Sequence, residues 1–475
     1  MLFFIRLFRY LTLWSLICGL LAGCAQWNGI SPTARPLELS ALSMGKNLSM
    51  WGQFQGPDEG WWKTAWHDPQ LNALLTRAVA ENPTLQSARD RIAMAEALAR
   101  ESRSQMLPQV DLSAAPSRDR FTALQFIPPP WGGHTEWNNT VATSLSYDLD
   151  LWGQNKSQWK GYMDEAAATA LDAFEVRIDL EQAIIRDYIR LDMYYVIRDV
   201  AWQRQDALKQ RASIAQARLS AHLGTHLATS EAETPLPMAA AEIMALDEQI
   251  SLTKNELAAL TGQGPGTGDA ITRPALVLQN HLEIPNRLPV HLIGHRPDVL
   301  ASRWRTEAAG HQIDAAKAAF YPDINLSAMV GFEALGFGQL FSNAAFTAGA
   351  GPALTLPILD GGQRRAQLSA TTSAYNMAVD HYNETILHAL KEVSNQLTML
   401  RSETNQENQA IRTLGLAQTS HEIAMKSFQA GLTNYNPVLD AENRILDAQY
   451  ALSEIRGKRL EAYAGLMHAL GGGIE

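Results

Sequence analysis

The chain has 475 residues, of which 46% are hydrophobic and 19% charged, and its formal net charge is −10. The length allows two or three ordinary domains or one duplicated architecture, and the acidic balance excludes the general basic footprint of a nucleic-acid-binding protein. Cys18 lies in an N-terminal apolar run, so cleavage before Cys24 would leave one cysteine and no internal disulfide.

Residues 1–23 have the pattern of a secretory signal peptide, with a positive start, an apolar run and small residues before the break. The apolar run is too short and wrongly flanked for a spanning helix. The sequence Leu-Ala-Gly-Cys ending at Cys24 resembles the bacterial lipobox, whose cysteine carries N-palmitoyl and S-diacylglycerol lipid. Because Ala25 follows rather than aspartate, this resemblance implies the outer membrane. A plain signal peptide with a chance cysteine is the alternative.

Residues 24–60 are mixed in composition with little periodicity, which predicts an extended, lipidated arm. Three tryptophans follow, at positions Trp61, Trp62 and Trp66. A ligand cage or a membrane belt would use such residues, but packing of the arm onto the helices is the favoured interpretation. Helical patterns then run from about 71 to 80 and from about 84 to 106.

A joint of helix, proline and strand occurs twice in the sequence. One copy is Leu107–Ala114 and the other is Tyr321–Ala328, at an offset of 214 residues. Pro108 and Pro322 stand where a helix must stop and a strand can start. A shared pattern at one offset, without gaps, indicates an internal duplication.

Each joint opens an alternating run that predicts a β-hairpin, at about 109–150 in the first half and about 323–358 in the second. One face of each strand is apolar, and strands of about ten residues suit a membrane barrel with that face outward. A soluble, half-buried sheet is the competing interpretation, but the leader and Cys24 favour the membrane. Four strands cannot close a barrel, since about eight is the lower limit. Open edges are not tolerated in lipid, so several copies must pool their strands.

A very long helix follows each hairpin, over about 154–223 and about 363–430. No proline interrupts the first, whose length of about 70 residues corresponds to about 105 Å. Its apolar residues form two stripes, which suit a helix with a neighbour on each side. Each long helix is predicted to turn back at a glycine, Gly224 and then Gly431.

The predicted repeats cover 61–261 and 288–475, with a Gly/Pro linker at 262–287 between them. The glycine-rich start of this linker superficially matches a phosphate-binding loop. No strand leads into it, however, and no Lys-Ser/Thr pair or helix follows in the required place. A flexible joint between the repeats is therefore the favoured interpretation.

Taken together, the motifs resemble the outer-membrane efflux lipoproteins, the TolC-like and NodT-type exit ducts of tripartite drug pumps. The matching segments are Leu21–Cys24, Trp62, Asp68-Pro69, Leu107-Pro108, Tyr147–Gly153, Arg296–Asp298, Tyr321-Pro322, Leu356–Gly362, Ala430–Thr433, Val438–Ala441 and Ala469–Gly473. Each segment is weak alone, but the set in this order is specific and covers nearly the whole mature length.

The resemblance implies a mixed α+β membrane protein that forms a homotrimer. Each chain would give four strands to a 12-stranded β-barrel in the outer membrane, continuous with a long periplasmic α-helical barrel. The implied function is passive exit of drugs or other small toxic compounds, delivered by an inner-membrane pump through a periplasmic membrane-fusion adaptor. The resemblance implies no enzyme activity, no cofactor beyond the lipid on Cys24, no metal site and no nucleic-acid partner.

The resemblance also implies a gate at the periplasmic end, lined by the acidic residue of the Val-Leu-Asp-Ala segment, Asp440. Three such carboxylates near one axis would attract cations, as acidic rings in channels do. A solvated helix residue is the alternative for Asp440. Thr433 replaces a basic residue that some relatives use as a latch, and Pro235 and Pro237 predict that the first turns of a returning helix are disrupted.

Two other functions remain open from the sequence. A duct for type I protein secretion has the same architecture, although secretion relatives more often lack the lipobox. Metal-cation efflux is the other, because two pairs of histidines are spaced four apart, as a helical metal pair would be. These pairs are His222 with His226 and His291 with His295. An envelope enzyme is possible only if the hairpins are not membrane strands.

Overall fold

The computed structural model describes residues 28–38, 42–43, 46–49, 60–124, 130–276 and 288–472. The predicted signal peptide and the lipidation site at Cys24 lie outside the described residues. Within these ranges, none of the helices is both long and apolar enough to cross a bilayer.

The described helices and strands alternate in two similar series along the chain. The helices are α1 (Trp61–Trp66), α2 (Pro69–Glu81), α3 (Pro83–Ser104), α4 (Gln154–Ser220), α5 (His226–Glu233), α6 (Pro235–Leu260), α7 (Pro265–Gly268), α8 (Pro297–Ala318), α9 (Gln363–Gln429) and α10 (Asn436–Ala469). The strands are β1 (Leu48–Ser49), β2 (Gln109–Arg120), β3 (Thr135–Asp148), β4 (Leu288–Pro289), β5 (Asp323–Leu335) and β6 (Phe346–Thr355). A 3₁₀-helix covers Val290–His295.

Both predicted hairpins are present, and they join into one antiparallel sheet of order β2-β3-β5-β6. The central pairing sets Tyr147 opposite Leu326, so the two halves of the chain meet along β3 and β5. The outer strands β2 and β6 have no partner on their free edges among the described residues. Apolar side chains of these edge strands are bare, with Leu112 75% and Leu354 66% exposed.

The two long helices, α4 and α9, each contain 67 residues, which corresponds to about 100 Å. Both predicted stripes of α4 include fully buried residues: Ile184 and Leu191 in one, Ile185 and Tyr188 in the other. The stripes fade toward the start of the helix, where Phe174 is 45% exposed. Burial on two sides fits a helix that packs against more than one neighbour.

The turns after α4 and α9 use the same backbone bond but different residues. Gly431 takes a left-handed conformation after α9 (φ 69°), and the next N–H, of Leu432, donates to Ser427 O at 3.0 Å. After α4 the left-handed residue is His222 (φ 58°) rather than Gly224, and Leu223 N–H donates to Arg218 O at 2.8 Å. Both turns are of the Schellman type.

Gly224 serves the first turn by its size rather than by its backbone angle. A Cβ on Gly224 would lie 3.1 Å from the backbone nitrogen of Leu219 and 3.3 Å from the Cβ of Arg218. Gly224 lies in the turn between α4 and α5, where the sequence predicted it, although the left-handed conformation belongs to His222. The helix end sets the position, and the αL conformation falls on whichever side chain occupies it.

The returning helix is divided at the prolines into α5 and α6, so the prediction that Pro235 and Pro237 disrupt it is wrong only for its first turns. The helix begins at His226, before either proline, with Thr225 as its N-cap. Thr234 keeps a right-handed conformation (φ −52°, ψ −41°), and its N–H donates to Ser230 O at 3.0 Å. Because α6 begins at Pro235, the prolines occupy first-turn positions, where the missing N–H donors cost little.

The chain divides into two compact units, and each draws on both predicted repeats. One unit contains Arg91–Thr169 and Ala301–Asn383, which include the four-stranded sheet. The other contains Leu37–Asp90, Ala170–Leu300 and Glu384–Glu475, whereas the described residues before Leu37 belong to the first unit. These boundaries differ from those of the repeats because duplication is recorded along the chain, whereas a compact unit is defined by contacts in space.

The ends of the two halves make the same contact twice within the second unit. Asn82 Nδ2 donates to Leu260 O at 2.8 Å, and Arg296 Nη1 donates to Ala469 O at 2.7 Å. Both donors immediately precede a helix that begins with proline, and both acceptors lie at the end of a returning helix. This equivalence supports the internal duplication inferred from the sequence.

Candidate functional site

Asp440, the predicted gate residue, lies near the start of α10 and is half-exposed. Its Oδ1 atom is 3.0 Å from Nη1 of Arg211, which stands in the last turns of α4. An ion pair within one chain therefore joins the last turns of α4 to the start of α10. The sequence offered no signal for this partner, since the two residues are 229 positions apart.

The Arg211–Asp440 pair is one rung of a regular ladder between α4 and α10. The rungs are Arg190–Glu461 at 2.7 Å, Arg204–Asp447 at 2.5 Å and Arg211–Asp440 at 3.0 Å. From rung to rung the residue number on α4 rises by 14 and then 7, and the number on α10 falls by the same amounts. A spacing in sevens between antiparallel helices is the heptad register of a coiled coil.

The turn between α9 and α10 carries the other tip residues that the sequence singled out. The rings of Phe428 and Tyr435 pack edge to face across it, with centroids 5.0 Å apart. Thr433 is uncharged and therefore cannot form an ion pair across this turn. Leu432 is 80% exposed, and Leu223 at the equivalent turn after α4 is 72% exposed. Each turn thus presents a bare leucine.

A buried arginine in the Arg296-Pro297-Asp298 motif braces the end of α10. Its guanidinium forms a two-pronged ion pair with Asp298, at 3.0 and 2.9 Å, and a third charged contact with Glu392 at 2.9 Å. Only 4% of the Arg296 side chain is exposed. Arg296 also donates to the carbonyl of Ala469. The Arg296–Asp298 motif and the segment that starts at Ala469 therefore form one structural site, although they are far apart in sequence.

His468 lies beside this brace, between carboxylates from two helices. Its Nε2 atom is 2.8 Å from Asp179 Oδ1 on α4, and its Nδ1 atom is 3.8 Å from Glu392 Oε1 on α9. Burial opposes the charged ring, but Asp179 and Glu392 outweigh it and raise the pKa of His468 to about 9. The His468 ring, together with Arg296, lowers the pKa of Glu392 to about 2 in spite of its burial.

Glu175 completes this group and is the residue that sequence reasoning missed. One ligand atom from each of Glu175, Asp179 and His468 lies within 4.8 Å of the others, close enough to hold a metal ion. Burial and the charges of Asp298 and Asp179 raise the pKa of Glu175 to about 7. The Glu-x-x-x-Asp spacing on α4 was available as a signal, because residues four apart share a helix face. His468 could not be assigned to it without the fold.

The histidine pairs noted in the sequence do not form such a group. His222 holds the left-handed position after α4, while His226 begins α5. His291 and His295 fall in a 3₁₀-helix, where residues four apart do not share a face. Among the described residues neither pair belongs to a set of three metal-capable side chains.

The N-terminal tryptophans pack inside the second unit. Trp61, Trp62 and Trp66 are each at most 7% exposed. The Trp61 ring contacts Tyr463 of α10 edge to face, with centroids 5.5 Å apart, and lies 5.1 Å from the ring of Trp66. The tryptophans are therefore packed residues and form no open cage, while most of the arm that they were expected to pack lies outside the described residues.

The repeat joints at Pro108 and Pro322 are fixed by neighbouring side chains. Trp152 Nε1 donates to the carbonyl of Pro322 at 2.8 Å, and its ring stacks on Tyr321 with centroids 4.5 Å apart. Beside Pro108, Gln109 Nε2 donates to Ser104 O at 2.7 Å and so satisfies a carbonyl at the end of α3. Both prolines thus mark helix-to-strand transitions.

The first part of the Gly/Pro linker is packed rather than free. A Cβ on Gly262 would lie 2.6 Å from Glu81 O, and one on Gly268 would lie 2.7 Å from Lys254 O. Glycine is needed at both positions because the backbones approach so closely. This differs from the predicted flexible joint, and the glycines serve contact rather than freedom.

Comparisons with known proteins agree on one family. A family model described as "Outer membrane efflux protein" matches residues 74–263 and 288–472. The fusaric acid resistance protein FusA of Burkholderia cepacia is 35% identical over 472 residues, covering 96% of this chain and 87% of that protein. The multidrug resistance outer membrane protein MdtP of Escherichia coli K12 is 28% identical over 473 residues, covering 96% and 94%.

Solved structures are similar over most of the chain. The outer membrane protein VceC of Vibrio cholerae has a TM-score of 0.81 and 30% identity, and the match covers 88% of this chain and all of that one. The Campylobacter jejuni CmeC outer membrane channel has a TM-score of 0.83 at 20% identity, which shows the fold alone.

Proposed function

This chain belongs to the outer membrane efflux protein family, and from that premise we propose that it is the exit channel of a tripartite efflux system. The family consists of outer-membrane transport ducts rather than enzymes. The chain would provide a passive, water-filled path, and an inner-membrane pump with a periplasmic adaptor would deliver the cargo. Relatives named for fusaric acid and multidrug resistance favour small toxic compounds as that cargo.

A homotrimer is the assembly that this proposal requires. The sheet has four strands, and the outer edges of β2 and β6 have no partner among the described residues. In lipid, unpaired N–H and C=O groups cost several kcal/mol each, so these edges must pair with another copy of the chain. Three copies would close a 12-stranded barrel. The bare apolar side chains on β2 and β6 would then face lipid.

The proposed gate rests on the ion pair between Arg211, in the last turns of α4, and Asp440, near the start of α10. In the proposed channel this pair holds the last helical hairpin closed. It would take the place of the basic latch residue of some relatives, because Thr433 at that position carries no charge. Opening would separate the ends of the two helices. The solvent-exposed Leu223 and Leu432 at the neighbouring turns would offer apolar contacts to the adaptor.

We further propose that Cys24 carries the lipid anchor.

The decisive test combines gene deletion with chemical crosslinking in the native host. Deletion should raise the accumulation of fusaric acid and of fluorescent pump substrates, and the intact gene should restore efflux. Crosslinking of the tagged chain should recover a periplasmic adaptor and an inner-membrane transporter. Unchanged accumulation, together with loss of a secreted protein from the medium, would replace efflux with type I secretion. The Cys24→Ser variant should lose metabolic labelling with palmitate.

A further inference from the structure

A group of metal-ligand side chains lies at the end of α10, away from the proposed gate. Glu175 and Asp179 project from one face of α4, four residues apart, and His468 comes from the last residues of α10. Their ligand atoms lie within 4.8 Å of one another. Two carboxylate oxygens and one imidazole nitrogen are a donor set that divalent zinc-type metals accept.

Glu175 is the member of the group that the rest of the fold does not explain. The described residues give its carboxylate no hydrogen bond and no ion pair, although it is largely shielded from solvent. Its neighbours Asp298 and Asp179 are carboxylates as well, and the charges of His468 and Arg296 offset them only in part. The charged form of a shielded carboxylate beside two others is unfavourable, and it is relieved when the group takes up a proton or a metal cation.

The nearby cations do not fill this role. The guanidinium of Arg296 already donates to Asp298, Glu392 and the carbonyl of Ala469. His468 directs Nε2 to Asp179 and Nδ1 toward Glu392. Nε2 faces the two carboxylates of α4, and Nδ1 lies 3.8 Å from Glu392 Oε1. A metal on Nε2 would therefore have a second carboxylate behind the histidine, which is the usual arrangement at metal-bound histidines.

We infer that Glu175, Asp179 and His468 form a binding site for one divalent transition-metal ion of the Zn²⁺ type in each chain. The metal would take the place of the proton that His468 Nε2 shares with Asp179, and that proton would pass to solvent. Asp179 is 61% exposed, so the ion can enter without opening the fold. A water molecule would complete four-fold coordination.

Such a metal ties the end of α10 to α4, next to the Arg296 brace. The consequence is structural, because the ion cross-links two helices that are 289 residues apart at the Asp179–His468 contact. The gate pair Arg211–Asp440 lies at the opposite end of α10, so the site is independent of the proposed function.

The test uses the full-length protein, purified in detergent without a histidine tag and stripped with a chelator. After incubation with Zn²⁺ and desalting, metal retained per chain is counted by plasma mass spectrometry. We expect one Zn²⁺ per chain and a higher thermal midpoint, and Co²⁺ should give a visible ligand-field band. Glu175→Gln should weaken Zn²⁺ binding at least tenfold and, without metal, should leave the midpoint unchanged or raised.

His468→Gln should abolish Zn²⁺ retention. The matched control is His421→Gln, which removes a partly exposed histidine on α9, outside the proposed site. Wild-type retention in Glu175→Gln overturns the proposal even if His468→Gln fails to fold. Loss of retention in His421→Gln to the same extent also overturns it, because binding would then come from scattered surface histidines. Failure of wild type to retain Zn²⁺ has the same meaning.

Discussion

Arg211 Nη1 and Asp440 Oδ1 lie 3.0 Å apart and join the last turns of α4 to the beginning of α10. The pair is the rung nearest the helix ends in a ladder that continues through Arg204–Asp447 to Arg190–Glu461. Because it is half-exposed, it contributes only about 0–1 kcal/mol to stability. That small value suits a contact that must break when a channel opens.

Breaking this pair should open the channel without unfolding it. In Asp440→Asn, the conductance of the protein in planar bilayers should rise, with the open population increasing up to about fivefold. The double variant Arg211→Asp with Asp440→Arg should return conductance toward the wild-type value. Glu248→Gln, an exposed carboxylate on α6, is the control. Equal conductance in all four proteins would remove Asp440 from the gate.

Loss of the Arg296 brace should be among the most damaging single changes. Arg296→Ala leaves Asp298 and Glu392 without their buried partner, so we expect a loss of about 3–5 kcal/mol. Arg296→Lys should not rescue it, because an ammonium cannot make the two-pronged contact to Asp298. Thermal unfolding and trypsin resistance measure the effect.

The matched control for the brace is Arg303→Ala, which removes an arginine that is 65% exposed and paired with Glu307. This change should cost only about 0–1 kcal/mol. Similar losses in the two arginine variants would show that burial of Arg296 does not set its contribution.

The left-handed residue His222 should be improvable. His222→Gly removes a Cβ from an unfavourable backbone conformation on an exposed turn and should stabilise it by about 1 kcal/mol. Gly431→Ala at the equivalent turn should destabilise by a similar amount. Hydrogen–deuterium exchange of the two turn peptides separates these local effects. Slower exchange in Gly431→Ala than in wild type contradicts the assignment.

Asp192 should make stability fall as the pH rises. Burial raises its pKa to about 6 against the opposing charge of Arg273, so the folded state holds a proton that the unfolded chain releases. The stability that the protonated Asp192 contributes is complete below the ordinary carboxyl pKa of 3.8 and is lost as the pH rises through about 6. Asp192→Asn should therefore raise the thermal midpoint at pH above about 6 and have little effect near pH 4.

The Asp192 prediction is checked by thermal unfolding at a series of pH values, with Glu248→Gln as the exposed control. A gain in Asp192→Asn that is the same at every pH would point to packing rather than to the proton.

Local patterns in the sequence were sufficient for the elements themselves. Alternation predicted both hairpins, at about 109–150 and 323–358, and the strands lie within those limits. The long helices begin where predicted and end within three residues of the predicted stops. Alternation and helical periodicity depend on residues close together in the chain, so they can be read without the fold.

Local patterns failed where position in space decided the role of a residue. Gly224 lies in the predicted turn, but no local pattern showed that the left-handed angle would fall on His222, because the end of α4 fixes that position. The prolines after Thr234 were expected to disrupt the first turns of the returning helix, but they follow the intact α5, which begins at His226.

The sequence by itself determined the duplicated order of helices and strands, the helix-to-strand joints and the family. The tertiary structure alone decided which charges meet. Arg211 finds Asp440, and His468 finds Asp179, because apolar packing aligns α4 against α10 in an antiparallel register. An ion pair is too weak to set that register, and its partners are hundreds of residues apart, so no local pattern in the sequence records it.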